Sequence, residues 1–78
     1  MSSPSQPRKT IRQLRHERGW SQRELAVRLG VSVNAVSKWE RGLVAPRWDH
    51  LRGLALLFGI HTRAIATGPA EQPPQERP

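Results

Sequence analysis

The stretch Ser21-Gln22-Arg23-Glu24-Leu25-Ala26-Val27-Arg28-Leu29-Gly30-Val31-Ser32-Val33-Asn34-Ala35-Val36-Ser37-Lys38-Trp39-Glu40-Arg41-Gly42 decides the fold. Ser21 with Glu24 three residues on has the form of a capping box, in which each side chain bonds the other's backbone N–H at a helix start. Leu25, Ala26 and Leu29 form the inner stripe of that helix. Glu24 and Arg28 stand four apart on its outer side, a favourable pair. Only Gly30-Val31-Ser32 separate it from a second helix, which Ser32 caps and Gly42 terminates. A turn that short makes the two helices cross steeply. Ala26 falls where they cross closest, and a longer side chain would wedge them apart. Gly30 falls where the backbone must turn left-handed, which costs a residue with a Cβ about 1–2 kcal/mol. Val31, Val36 and Trp39 plug the space beneath.

The same helical periodicity runs outward in both directions. A first helix is expected from Arg8 to Arg18, with Ile11, Leu14 and Arg18 on one face and Gly19 as its stop. Trp20 reads as core between it and the next helix. A fourth helix is expected from Arg47 to Phe58, with Trp48, Leu51, Leu54, Ala55 and Phe58 on one side. Asp49 suits the dipole of its first turn, and Gly59 ends it. A short fifth helix, Thr62 to Ala66, would add Ile65 to the core. No alternating run is long enough for a strand. The expectation is an all-α, compact five-helix bundle over residues 8–68. The flanks, 1–7 and 69–78, are rich in Pro, Gln and Ser and are expected to be disordered.

A chain of 78 residues holds one small domain. It has no cysteine, so neither disulfides nor cysteine-bound metal can staple it. Lys and Arg number 13 against 6 for Asp and Glu, a net charge of +7. That excess calls for an anionic partner, nucleic acid first. No apolar run nears the roughly 20 residues of a membrane span, and the segment from Met1 has no apolar core for a signal peptide. The location expected is cytoplasmic, with the DNA of the nucleoid. His16, His50 and His61 lack metal-ligand spacing, and no nucleophile–base set or glycine-rich phosphate loop is visible. Neither an enzyme nor a cofactor is expected.

Gln22-Arg23-Glu24-Leu25-Ala26, Leu29-Gly30-Val31-Ser32 and Val36-Ser37-Lys38-Trp39-Glu40-Arg41-Gly42 together resemble the phage repressor helix-turn-helix of the Cro/CI type, the XRE family. Pro46, Leu51, Leu54-Ala55 and Phe58-Gly59-Ile60 fall where that family places its fourth helix, so the likeness covers about residues 8–66. The resemblance implies a lambda-repressor-like domain that binds double-stranded operator DNA, commonly as a homodimer on a palindrome. Its third helix would lie in the major groove. The outward residues there are Val33, Asn34, Ser37 and Lys38, with Ala35 nearby. Asn34 is suited to adenine N6 and N7, Lys38 to guanine O6 or N7, and Val33 or Ala35 to a thymine methyl. Gln22, at a helix N-terminus that favours anions, and Arg23 would hold phosphate, as would Arg41 and Arg47. Arg15 and Glu40 match a family pair that ties helix 1 to the end of helix 3 by a partly buried salt bridge.

The chain departs from the pattern in places. Trp20 stands where leucine is usual, and Trp48 takes an apolar position. Arg47 replaces the usual cap of helix 4, which leaves that helix start open or exchanges the cap for a phosphate contact. Leu56 lies about 140° around the helix from Leu51, where a polar residue is usual. It is either a dimer contact or a single exposed leucine of no consequence. Two functions fit: a sequence-specific transcriptional regulator, most simply a repressor occupying its operator, or a protein-interaction module such as an antitoxin-like partner of a toxin. The lack of any acidic residue from Val33 to Lys38 favours the first. The C-terminal tail is where the second would find its protein partner.

Overall fold

A computed structural model describes residues 8–67. The expected disorder of 1–7 and 69–78 lies outside these residues, as does Gly68. The order is β1 (Lys9–Thr10), α1 (Ile11–Glu17), α2 (Gln22–Leu29), α3 (Val33–Glu40), α4 (Trp48–Phe58), a 3-10 turn (Thr62–Ala64) and β2 (Ile65–Ala66).

Each helix starts where its local chemistry permits. Thr10 and Gln13 close a capping box on α1, so the helix begins at Ile11 and not at Arg8. Ser21 and Glu24 close the second box on α2. The Ser32 hydroxyl accepts from the Ala35 N–H at the start of α3. Arg47 occupies the cap position of α4 in extended conformation and makes no side-chain cap bond. That end of α4 therefore relies on Asp49 in its first turn and on packing.

The fifth helix of the sequence reading is not formed among the described residues. Thr62–Ala64 make one tight turn, and Ile65–Ala66 then run extended. They pair in parallel with β1, Lys9 opposite Ile65 and Thr10 opposite Ala66. A two-residue strand carries no alternation to detect, so the pairing was invisible to periodicity. Ile65 still reaches the core.

That core consists of Ile11, Leu14, Leu25, Ala26, Val36, Trp39, Leu54, Ala55, Phe58 and Ile65. Trp20 packs against its edge, its ring centroid 5.8 Å from that of Phe58. Two cations cover the indole: the Arg28 guanidinium carbon lies 4.4 Å from the ring centroid and that of Arg18 5.6 Å. Such stacking is favourable, and it explains how Arg18 shares the face of Ile11 and Leu14 while remaining exposed: it also donates to the Phe58 carbonyl at 2.9 Å. Trp48 corrects the sequence reading. It is 63% exposed, not in the core. At the first position of α4 its side chain lies beyond the packed layer that Leu51 and Leu54 begin.

Two glycines carry geometry. Gly30 has φ +82°, the left-handed conformation, and the Ala26 carbonyl accepts from both the Gly30 and Val31 N–H groups. A Cβ at Gly30 would touch nothing within 4 Å. Gly30→Ala is thus a pure backbone test: we expect a loss of about 1–2 kcal/mol in denaturant melts, with unchanged packing. At Gly53 the limit is space, since a Cβ there would lie 2.9 Å from Leu29 Cδ1, on the line where α4 crosses α2.

Candidate nucleic-acid interface

The site is built on α3. Its buried side is Val36 and Trp39. With 100° per residue, Asn34, Lys38 and Arg41 fall on the opposite side, and all three are exposed. Val33 is exposed at one border and Ser37 half-buried beside it. Ala35 is half-buried at the other border. There it forms part of a groove of about 250 Å³ with Ser32, Asn34, Lys38, Trp39 and Val44. Its floor is apolar and its rim carries an amide, a hydroxyl and an ammonium. Val44, on the loop after α3, closes one side of this groove. Its place beside Ala35 depends on how that loop folds back, for which the sequence holds no periodic signal.

The mounting of α3 is a buried charge cluster. Arg15 Nε donates to Glu40 Oε2 at 2.7 Å, and Arg15 Nη2 donates to Oε1 at 3.0 Å. Arg15 Nη1 donates to the Trp20 carbonyl at 2.8 Å. Gln22 Nε2 adds a third bond to the carboxylate, 3.0 Å to Oε1. One carboxylate on α3 thereby binds α1 and the first residue of α2. The side chains of Arg15 and Glu40 are only 9% and 3% exposed. Burial alone would push the Glu40 carboxyl up. Hydrogen bonds from Arg15 and Gln22, with the charges of Arg15 and Arg12, outweigh it and hold the group below the ordinary glutamate range. The bond to Glu40 raises Arg15 in turn, against burial and with help from the Glu40 charge. Arg12, which the sequence reading passed over, therefore belongs to the field around the end of α3.

The remaining candidates surround this platform. Gln22 is half-buried with one amide N–H on Glu40. A carboxamide has two such donors, so one is left for an anion in front of α2. Arg23 is exposed on the next position of α2, and Arg41 and Arg47 are exposed at the end of α3 and before α4. Leu56 is exposed on α4 and is not part of this surface. Among the described residues no group of His, Cys, Asp and Glu is placed to hold a metal ion, and no helix is long and apolar enough to cross a membrane.

Two short helices crossing at a left-handed glycine, the second presenting an uncharged and basic face, make a helix-turn-helix domain. The comparison with family models agrees: residues 11–65 match the model described as helix-turn-helix, and the chain belongs to that family. It is a DNA-binding protein of the transcription-regulator kind. No curated protein and no solved structure matches the chain.

Proposed function

We propose that the protein is a sequence-specific repressor that occupies operator DNA inside the cell, with α3 in the major groove and two copies on related half-sites. The observation that carries this reading is the exposed side of α3. From Val33 to Arg41 it offers amide, hydroxyl, methyl and cationic groups, while its single acid, Glu40, is turned inward onto Arg15 and Gln22. An inward carboxylate removes the one group that would repel phosphate. Val33, Asn34, Ala35, Ser37 and Lys38 are the base-contacting set. Gln22, Arg23, Arg41 and Arg47 are the phosphate-contacting set, which fixes register without reading sequence.

The two sets predict different losses. Asn34→Ala should relax choice at one base pair, by about 1–3 kcal/mol, and leave other positions as selective as before. Arg47→Ala should weaken all duplexes alike and flatten the slope of log affinity against log salt by about 1. Selection of bound duplexes from a random pool, followed by titration at several salt concentrations, checks both. Enrichment of the same sequences after replacement of every outward α3 residue would overturn the reading. A tail-dependent protein partner with no enriched duplex would favour the interaction module instead.

A further inference from the structure

The groove beside Ala35 has a divided chemistry. Ala35, Trp39 and Val44 supply carbon, and Asn34 and Lys38 supply donors at the rim. Its volume of about 250 Å³ is below the roughly 300–1,000 Å³ of a small-molecule pocket. Of the lining residues, Val44 alone lies outside α3 and its cap. It is an apolar side chain left 50% exposed. The backbone holds it there. The Gly42 N–H donates to the Trp39 carbonyl at 3.1 Å, and the Leu43 N–H donates to the Lys38 carbonyl at 3.0 Å. These are the two bonds that close a helix over a left-handed residue, and Gly42 has φ +74°. The chain is thus turned back on the last turn of α3 just before Val44. The apolar wall of the groove is set without any DNA.

We infer that this groove reads the C5-methyl group of a pyrimidine, with Val44 as the residue that makes the reading selective, so that DNA binding senses methylation at that carbon. The inference rests on the major-groove docking proposed above and names what this border of α3 recognises. The groove is continuous with the DNA-facing side, because Asn34 and Lys38 belong to both. In the major groove thymine presents its O4 acceptor beside its methyl group. An apolar floor with a donor on the rim is the complement of that edge. Cytosine is mismatched twice. It carries only hydrogen at C5, and its amino donor meets the Lys38 ammonium, which has no acceptor. 5-Methylcytosine regains the methyl contact but not the acceptor. The expected order of affinity is thymine first, then uracil and 5-methylcytosine, then cytosine. Loss of the methyl group should weaken binding about fourfold, the worth of burying one such carbon. Val33, on the opposite border of α3, takes no part in this groove.

The test uses a duplex selected by the full chain from a random pool, titrated at fixed salt. Each thymine is replaced in turn by deoxyuridine. At the position under the groove the replacement should weaken binding about fourfold. Cytosine there should bind worst, and 5-methylcytosine should recover about fourfold over it. In Val44→Ala the thymine-to-uracil ratio should fall below about 1.5, since the apolar contact is gone. Val44→Thr, which keeps the shape and adds a hydroxyl, should shrink the ratio as well. Leu43→Ala, exposed on the same loop and outside the groove, should keep it, which separates loss of the contact from a disturbed loop. Circular dichroism establishes that each variant is folded. A selected duplex indifferent to every deoxyuridine would overturn the inference and leave the proposed function standing. So would a thymine-to-uracil ratio that survives Val44→Ala at every methyl-sensitive position, the result expected if the groove holds only sugar and phosphate. Failure to enrich any duplex would overturn the proposed function, and this inference with it.

Discussion

Glu40→Ala should unfold the domain at temperatures where the wild type is stable, with a loss of about 3–5 kcal/mol. The cost comes less from the bonds removed than from what they leave behind. Arg15 is 8% exposed, and without Glu40 its guanidinium keeps only the Trp20 carbonyl among the partners described above. An uncompensated buried cation is the expensive outcome. For a domain of this size each kcal/mol moves the midpoint by about 4–8 °C, so the fall should be about 12–40 °C by circular dichroism. An unchanged midpoint would refute the role given to the pair. Exchanging both partners for apolar residues, Arg15→Met with Glu40→Leu, should recover much of the loss, because no charge is then stranded. The same cluster sets an acid limit. Glu40 titrates lower in the folded chain than in the unfolded chain. Its contribution is therefore complete above the ordinary glutamate value and disappears as pH falls through the depressed one. Melts at descending pH should show the wild type losing stability in that acid window and Glu40→Leu with Arg15→Met losing less.

Lys38→Glu should do the reverse, sparing the fold and removing DNA binding. Lys38 is exposed at the middle of the outward side of α3. It is in the last turn of the helix, where a cation suits the dipole, so the midpoint should fall by only a few degrees. In the groove the change removes a donor and places a carboxylate against base edges and phosphates. Like charges brought together at an interface cost several kcal/mol, and affinity should fall by more than about a hundredfold. Titration of a selected duplex at low salt measures it. A variant that binds within tenfold of the wild type would show that α3 does not enter the groove by this face.

How much could be read in advance depends on how local each cause is. The Ser21–Glu24 box, the left-handed Gly30 and the buried Val36 and Trp39 all follow from residues within a few positions of one another, and the structure has them. Trp48 was misplaced because hydrophobicity at a helical spacing says which face is apolar, not where the core ends. The first residue of α4 simply projects past it. The β1–β2 pair escaped because its partners are 56 positions apart in the chain, Lys9 with Ile65 and Thr10 with Ala66. The groove beside α3 needed the loop through Val44, and the third bond on Glu40 needed the rotamer of Gln22. Family likeness supplied the roles of Arg15 and Glu40, while their bidentate geometry depends on side-chain rotamers that no local pattern fixes.

The parallel pairing of β1 with β2 also bears on how the chain is made. Its two members are the first and last described elements, and β2 carries Ile65, a core residue. During synthesis α1 to α4 leave the ribosome before the segment that completes the core and pairs with β1. Until then the nascent chain holds the rest of the core without Ile65. Completion of the domain is therefore a late event, gated by the emergence of Ile65 and Ala66. A release of translation just before Ile65 should yield a protein that contains every DNA-facing residue named above and still fails to hold them in place.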